Sequence, residues 1–292
     1  MAPSTKRSIL ITGCSDGSLG IVLALAFRDA GWRVFASARN LAKTKTATQA
    51  DLEVIQLDTL KQESIDAAVA EVSKLTGGSL DMLLNNAGAG YGMPVLDLEW
   101  DKVKELFELN FFSIITVTKG FLPLLRNSQT VHGGVRGGIV VNNTSGSSLW
   151  VGALPWAAAY NASKAAATSL TENMRLELAP FGIKVVNLMT GGVKSTFYEN
   201  ATKTEVPADS LYAFAKDRID QNISGVDFQD RGDPEEYART VAKKLSKSNP
   251  PHWVWAGKSS RLVWLATFMP VGFIDGAVKQ MTGLNDVERL LK

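Results

Sequence analysis

The sequence predicts an α/β fold, a doubly wound parallel sheet with helices on both faces, in one domain of 292 residues. Three observations predict it. Short β-rich runs alternate with helical patterns over the first two-thirds of the chain, and such alternation builds βαβ units around a parallel sheet. A glycine-rich turn joins the first strand to the first helix. No repeat and no linker-like stretch divides the chain. Residues 1–292 therefore read as one unit, an alternating core at 8–197 followed by a helical, loop-rich tail at 198–292.

The elements follow in order. Strands are expected at 8–12, 33–38, 52–57, 82–85, 138–143 and 184–189, and helices at 20–30, 61–75, 100–125 and 159–179. Right-handed crossovers between parallel strands wind the sheet in both directions. The helix at 159–179 carries Leu170, Met174, Leu176 and Leu178, and Pro180 with Gly182 ends it. Residues 129–138, rich in glycine, read as an extended surface loop. From Phe197 onward the alternation fades into helix and loop.

Composition narrows the function. Apolar residues make up 45% and charged residues 21%, which excludes a wholly disordered chain. A net charge of +2 gives no support to nucleic-acid binding. The two histidines, His132 and His252, are far apart, so a His-rich metal site is excluded and no metal is expected. Cys14 is the single cysteine and permits a reducing compartment. The first apolar run is too short for a signal-peptide core. No stretch offers the roughly 18–20 uncharged apolar residues of a spanning helix. A cytoplasmic location is the expectation.

The first turn reads Thr12-Gly13-Cys14-Ser15-Asp16-Gly17-Ser18-Leu19-Gly20. Small residues let the backbone approach a pyrophosphate, and the following helix N-terminus supplies unpaired N–H groups. Gly13, Ser15, Gly17, Leu19 and Gly20 are the candidate contacts. Strand two ends Ala36-Ser37-Ala38-Arg39, without the carboxylate that binds a ribose 2′-hydroxyl. Arg39 offers a planar fork suited to a 2′-phosphate, so NADP(H) is the expected cofactor. Asp16 is a carboxylate that stands near the same phosphate in this reading.

Tyr160-Asn-Ala-Ser-Lys164 puts a phenol and an amine four residues apart on one helical face. A neighbouring ammonium lowers a phenol that otherwise titrates near 10. A serine hydroxyl at a strand end can donate to an oxygen on which charge develops. Ser145 and Ser147 both qualify. Counting from the strand selects Ser145, and counting back from Tyr160 selects Ser147.

With these motifs the chain resembles the classical short-chain dehydrogenases/reductases across about residues 8–197. The matching positions are the glycine turn, Asn85-Asn86-Ala87-Gly88, Asn110, Ser145, Tyr160 and Lys164. The resemblance implies a Rossmann-like fold with seven strands and an oxidoreductase that interconverts a ketone and a secondary alcohol. It implies that Tyr160 donates the proton, Lys164 tunes it and holds the nicotinamide ribose, and Ser145 orients the substrate oxygen. Asn110 is then expected to hold a water beside Lys164. Asp58 is expected at the adenine, Asn86 at its ribose, and Val193, Ser195 and Thr196 at the nicotinamide amide. The chain departs from the family pattern at Ser18, an extra residue in the turn, and at Thr190, where a proline is usual.

Within the family the turn, Arg39 and the aromatic-rich tail resemble a fungal subgroup named for NADPH-dependent 1-acyldihydroxyacetone-phosphate reductase. The implied substrate is apolar and lipid-like or polyketide-like, a second reading being a ketoreductase or alcohol dehydrogenase of secondary metabolism. A non-catalytic dinucleotide sensor is the contrasting class, and such proteins commonly lack the Tyr/Lys pair. A homodimer or homotetramer pairing through 100–125 and 159–179 is implied. Trp253, Trp255 and Trp264 fall within a dozen residues beside Lys258 and Arg261. That tail reads either as an apolar lid or peripheral membrane contact, at endoplasmic reticulum or lipid droplet, or as a helix packed on the domain or a partner subunit.

Overall fold

The computed structural model describes residues 6–291. Successive side chains of a strand face opposite sides, so strands buried on both faces are apolar throughout. That is how the central strands here are written. β1 (Ser8–Ile11), β2 (Arg33–Ala38), β3 (Glu53–Gln56) and β4 (Met82–Asn85) form one half of the sheet. After a two-stranded hairpin, β5 (Val131–His132) and β6 (Val135–Arg136), the other half follows as β7 (Ile139–Asn143), β8 (Lys184–Thr190) and β9 (Trp253–Ala256). The seven-stranded sheet has the order β3-β2-β1-β4-β7-β8-β9, and every pair in it is parallel. The winding direction reverses between β1 and β4, which opens a crevice at the carboxyl ends of those strands.

Two apolar layers cover the sheet. Ile9, Ile11, Val141 and Leu188 face one side, under Phe27 of α1 (Leu19–Asp29) and Val241 of α8 (Pro234–Leu245). Leu10, Leu83, Val140 and Val185 face the other. There they meet Ile65 of α3 (Gln62–Thr76), Phe121 of α5 (Ser113–Arg126) and Met174 of α6 (Ala158–Glu177).

Strands β2 and β4 occupy the expected residues. The helix expected at 100–125 runs as α4 (Trp100–Phe107), a π-helical turn at Glu108–Phe112, and α5. Together Trp100–Arg126 is long and apolar enough to cross a membrane by length and composition, yet Val117, Phe121, Leu124 and Leu125 are buried in the core. The 129–138 loop instead holds the β5–β6 hairpin, turned by Gly133 and Gly134 at positive φ. A short helix, α2 (Lys45–Gln49), follows β2.

The chain does not leave the sheet at 197. Helix α8 packs on α1, and β9 pairs with β8 as the seventh strand. The rest of the tail divides in two. Helices α7 (Lys216–Ile223) and α11 (Leu284–Leu290) join Trp156, ahead of α6, in a small satellite core with Ile219 and Val287. The stretch spanning α9 (Ser260–Ala266) and the loop before α10 (Asp275–Met281) leaves Leu262, Phe268, Val271 and Phe273 more than two-thirds exposed.

Candidate active site

The glycine turn is built from close approaches. Gly13 and Gly17 hold φ of 76° and 74°, a region that disfavours any Cβ. A Cβ on Gly20 would stand 2.3 Å from the Gly13 carbonyl oxygen, so helix α1 starts tight against strand β1. Ser18, the extra residue, caps α1. Its Oγ accepts from Ile21 N and donates to the Gly13 carbonyl at 2.8 Å. Ser15 closes the same turn, accepting from Ser18 N, and Leu19 opens the helix. The free N–H groups of this first turn, with the positive end of the helix dipole, form an anion site at the crevice. Cys14 is buried beneath the turn, its thiol donating to the Ile11 carbonyl, and burial pushes that thiol up to about 12.

Arg39 is exposed just past β2 and makes no hydrogen bond or ion pair with the described residues. It shares a cleft of about 580 Å³ with Asp58, Lys61 and Ser64. Asp16 takes no part there. Its carboxylate accepts from Lys45 N and Thr46 N at the start of α2, and these bonds hold it below the usual carboxylate range.

At the other end of the crevice, two residues past β7, stands Ser145, whose extended backbone begins a 3₁₀ turn at Gly146–Ser148. The Ser147 hydroxyl donates to Ser145 Oγ at 2.9 Å, and Ser145 in turn interacts with the Tyr160 phenol. Ser145 is thus the serine in contact with the tyrosine, and Ser147 stands behind it. Tyr160 and Lys164 lie on one face of α6. Phe197 packs edge-on to Tyr160 with ring centroids 5.4 Å apart. Burial pushes the phenol up to about 12, against a smaller opposing effect of Ser145. Lys164 is buried, its Nζ donates to the Asn143 carbonyl at 3.0 Å, and burial pushes the amine down to about 8.

Asn110 sits in the π-helical turn, where the i→i+5 pattern widens the helix. Its amide pins Ala89 N, Ala89 O and Ser163 Oγ, and a Cβ on Gly88 would touch both Asn110 and Lys164. Asn86 stitches strand ends together. Its Nδ2 donates to the Thr12 carbonyl, and its Oδ1 accepts from Asn143 Nδ2. Thr196 closes over the glycine turn, its N–H donating to the Gly17 carbonyl and its methyl packing where a Gly17 Cβ would stand. Val193 is buried and bridges to Gly232, while Ser195 Oγ accepts from Phe197 N.

The structure adds Trp156, Asn143 and Tyr237, which the sequence did not single out, and gives Thr190 its partners. Trp156, four positions before Tyr160, is buried at φ 65° and donates to the Thr282 carbonyl. Asn143, already bonded to Asn86, also accepts from Thr190 Oγ1 at 2.5 Å, and Thr190 bonds Tyr237 OH at 2.7 Å. One signal for that cluster was legible: two asparagines ending a buried apolar strand must find partners.

Comparisons with known proteins agree with this geometry. The family model for short chain dehydrogenase matches residues 7–206. A short-chain dehydrogenase/reductase of Pestalotiopsis microspora is 37% identical, over 99% of this chain and 98% of its own length. The NADPH-dependent 1-acyldihydroxyacetone phosphate reductase of Schizosaccharomyces pombe is 33% identical, over 96% of this chain and 95% of its own. Among solved structures, a short-chain dehydrogenase from Streptomyces avermitilis superposes with a TM-score of 0.73 at 26% identity, covering 98% of both chains.

Proposed function

Since the chain belongs to the short-chain dehydrogenase/reductase family, we propose that it is an NADPH-dependent reductase of an apolar ketone. The observation that carries this reading is the half-buried Tyr160 phenol set against Ser145, with the buried Lys164 four residues on. The dinucleotide fits the residues present. Two left-handed glycines clear the turn, the start of α1 offers N–H groups to a pyrophosphate, and unpaired Arg39 stands where a 2′-phosphate needs a cation. Gly13, Ser15, Gly17, Leu19 and Gly20 hold the diphosphate side, Asp58 the adenine side, and Thr196 the nicotinamide side.

When bound, NADPH supplies the hydride that reaches the carbonyl carbon. The chain's own residues do the remainder. Ser145 donates a hydrogen bond to the carbonyl oxygen and fixes its position. Tyr160 transfers its phenolic proton to that oxygen as charge develops there. Lys164, seated on the Asn143 carbonyl, would hold the nicotinamide ribose through its remaining N–H groups. Asn110 holds the Ala89 backbone at the crevice wall. Phe197, Tyr198 and Phe228 form an aromatic wall beside Tyr160, which excludes water and suits an apolar substrate such as an acyl dihydroxyacetone phosphate or a polyketide ketone.

The test is NADPH consumption over a panel of acyl dihydroxyacetone phosphates, steroids and aromatic polyketide ketones. We expect turnover on at least one class. Tyr160→Phe is expected to lower it at least 100-fold, the lower end for general acid–base catalysis, while NADPH still binds. Undiminished turnover in that variant refutes the assignment. Pairing of two copies through α4, α5 and α6 accompanies this reading, supported by the exposed Trp100, Ile115 and Leu176 on those helices.

A further inference from the structure

The carboxyl ends of the four central strands are tied by a chain of donated hydrogen bonds. Tyr237 OH, buried on α8, bonds Thr190 Oγ1 at the end of β8 and also interacts with the Asn143 side chain. Thr190 gives its own to Asn143 Oδ1 at the end of β7. Asn143 Nδ2 donates to Asn86 Oδ1 after β4, and Asn86 Nδ2 donates to the Thr12 carbonyl after β1, each at 2.9 Å. Each side chain in the run is bonded to the next, so none can turn without leaving a partner unpaired. An unpaired buried donor or acceptor is strongly unfavourable.

The Lys164 amine hangs from the middle of this chain. Its hydrogen bond is to the backbone carbonyl of Asn143, the residue whose side chain is held on both sides. Thr190 braces the contact between Asn143 and Tyr237 of α8. The proline usual at this position has no hydroxyl, whereas threonine bonds both Asn143 and Tyr237.

We propose that Asn143, Thr190 and Tyr237 are positioning residues that act through Lys164, the Tyr237–Thr190–Asn143 run fixing the carbonyl on which the amine rests. The inference builds on the reductase reading above, since it concerns how Lys164 is placed for that reaction. Asn143 and Tyr237 are buried. Their effect is on the height of the ammonium above the strand ends, and small misplacements of that kind slow chemistry more than they weaken binding.

Thr190→Val keeps the shape and removes the hydroxyl, Thr190→Ser restores it, and Tyr237→Phe removes one oxygen from the far end. In steady-state assays at saturating NADPH, Thr190→Val and Tyr237→Phe should each lower kcat roughly ten- to a hundred-fold. The ketone KM should stay within about twofold in both, Thr190→Ser should retain most of the wild-type kcat, and the double variant should be no slower than the worse single. Should Thr190→Val not fold, Tyr237→Phe carries the test. Wild-type kcat in folded Thr190→Val and Tyr237→Phe overturns the proposal. So does an equal loss in Thr190→Val and Thr190→Ser that follows only their melting temperatures. Tyr160→Phe is assayed in parallel. If it retains turnover, the reductase reading falls. If it is inactive while the other two variants run at the wild-type rate, only the positioning inference falls.

Discussion

At the start of α6, burial drives the phenol and the amine in opposite directions, Tyr160 up to about 12 and Lys164 down to about 8. Near neutral pH the phenol therefore carries its proton, which is the state a ketone reduction consumes. The pairing of the two residues was legible from their spacing alone. The balance between burial and charge was not, because it depends on the Asn143 carbonyl that takes the amine and on Phe197 over the ring. Asp16 shows the same limit. Its place in the glycine turn pointed to the phosphate, but the backbone of α2 claims both of its oxygens. Arg39 is left as an unpaired cation of the cleft. A charged hydrogen bond contributes about 1.5–3 kcal/mol, so Arg39→Ala should raise the KM for NADPH roughly 10- to 100-fold and leave that for NADH nearly unchanged. Parallel titrations of the two cofactors measure it, and an equal change for both removes Arg39 from the 2′-phosphate site.

Among the elements, those with a strong local pattern were legible and those defined by a neighbour were not. The runs Val34-Phe35-Ala36 and Met82-Leu83-Leu84 are apolar on both faces, so β2 and β4 fall on the expected residues. The run Trp253-Val-Trp-Ala256 is as β-rich, but it follows a long non-alternating stretch. Only its pairing with Asn187–Thr190 makes it the seventh strand. The π-helical turn around Asn110 and the Gly133–Gly134 hairpin likewise depend on contacts beyond the local pattern. Ser18 is the case where an irregularity proved structural. It lengthens the turn and then caps α1. Ser18→Ala should lower stability by about 1 kcal/mol, the usual value of a helix cap. It should also raise the KM for NADPH, because the Gly13 carbonyl loses its donor. Urea unfolding and cofactor titration on the same sample check both effects. A variant unchanged in both removes the capping role.

Over the whole molecule, stability near neutral pH depends on a histidine remote from the chemistry. His132, in the β5–β6 hairpin, is buried against Ser248, and burial holds its pKa below the ordinary value of 6.5. The sign follows from proton uptake. Below 6.5 the unfolded chain binds a proton that the folded protein refuses, so stability is full above that pH and falls as pH descends through it. The wild type should lose urea stability between pH 7.5 and 5.5, and His132→Gln should lose less. Equal losses would place the pH sensitivity elsewhere. That hairpin spans a stretch that reads as a loop, so neither its fold nor its titration was visible beforehand.

The sealed position of Cys14 makes the protein carry its own reporter. The sole sulfhydryl is both fully covered and almost entirely un-ionised at working pH, so electrophiles that attack thiolates find no target in the native state. A maleimide dye added to the intact protein would couple only as fast as the segment around residue 14 comes open. Adding NADPH would then slow labelling in proportion to how firmly the bound dinucleotide keeps that segment shut.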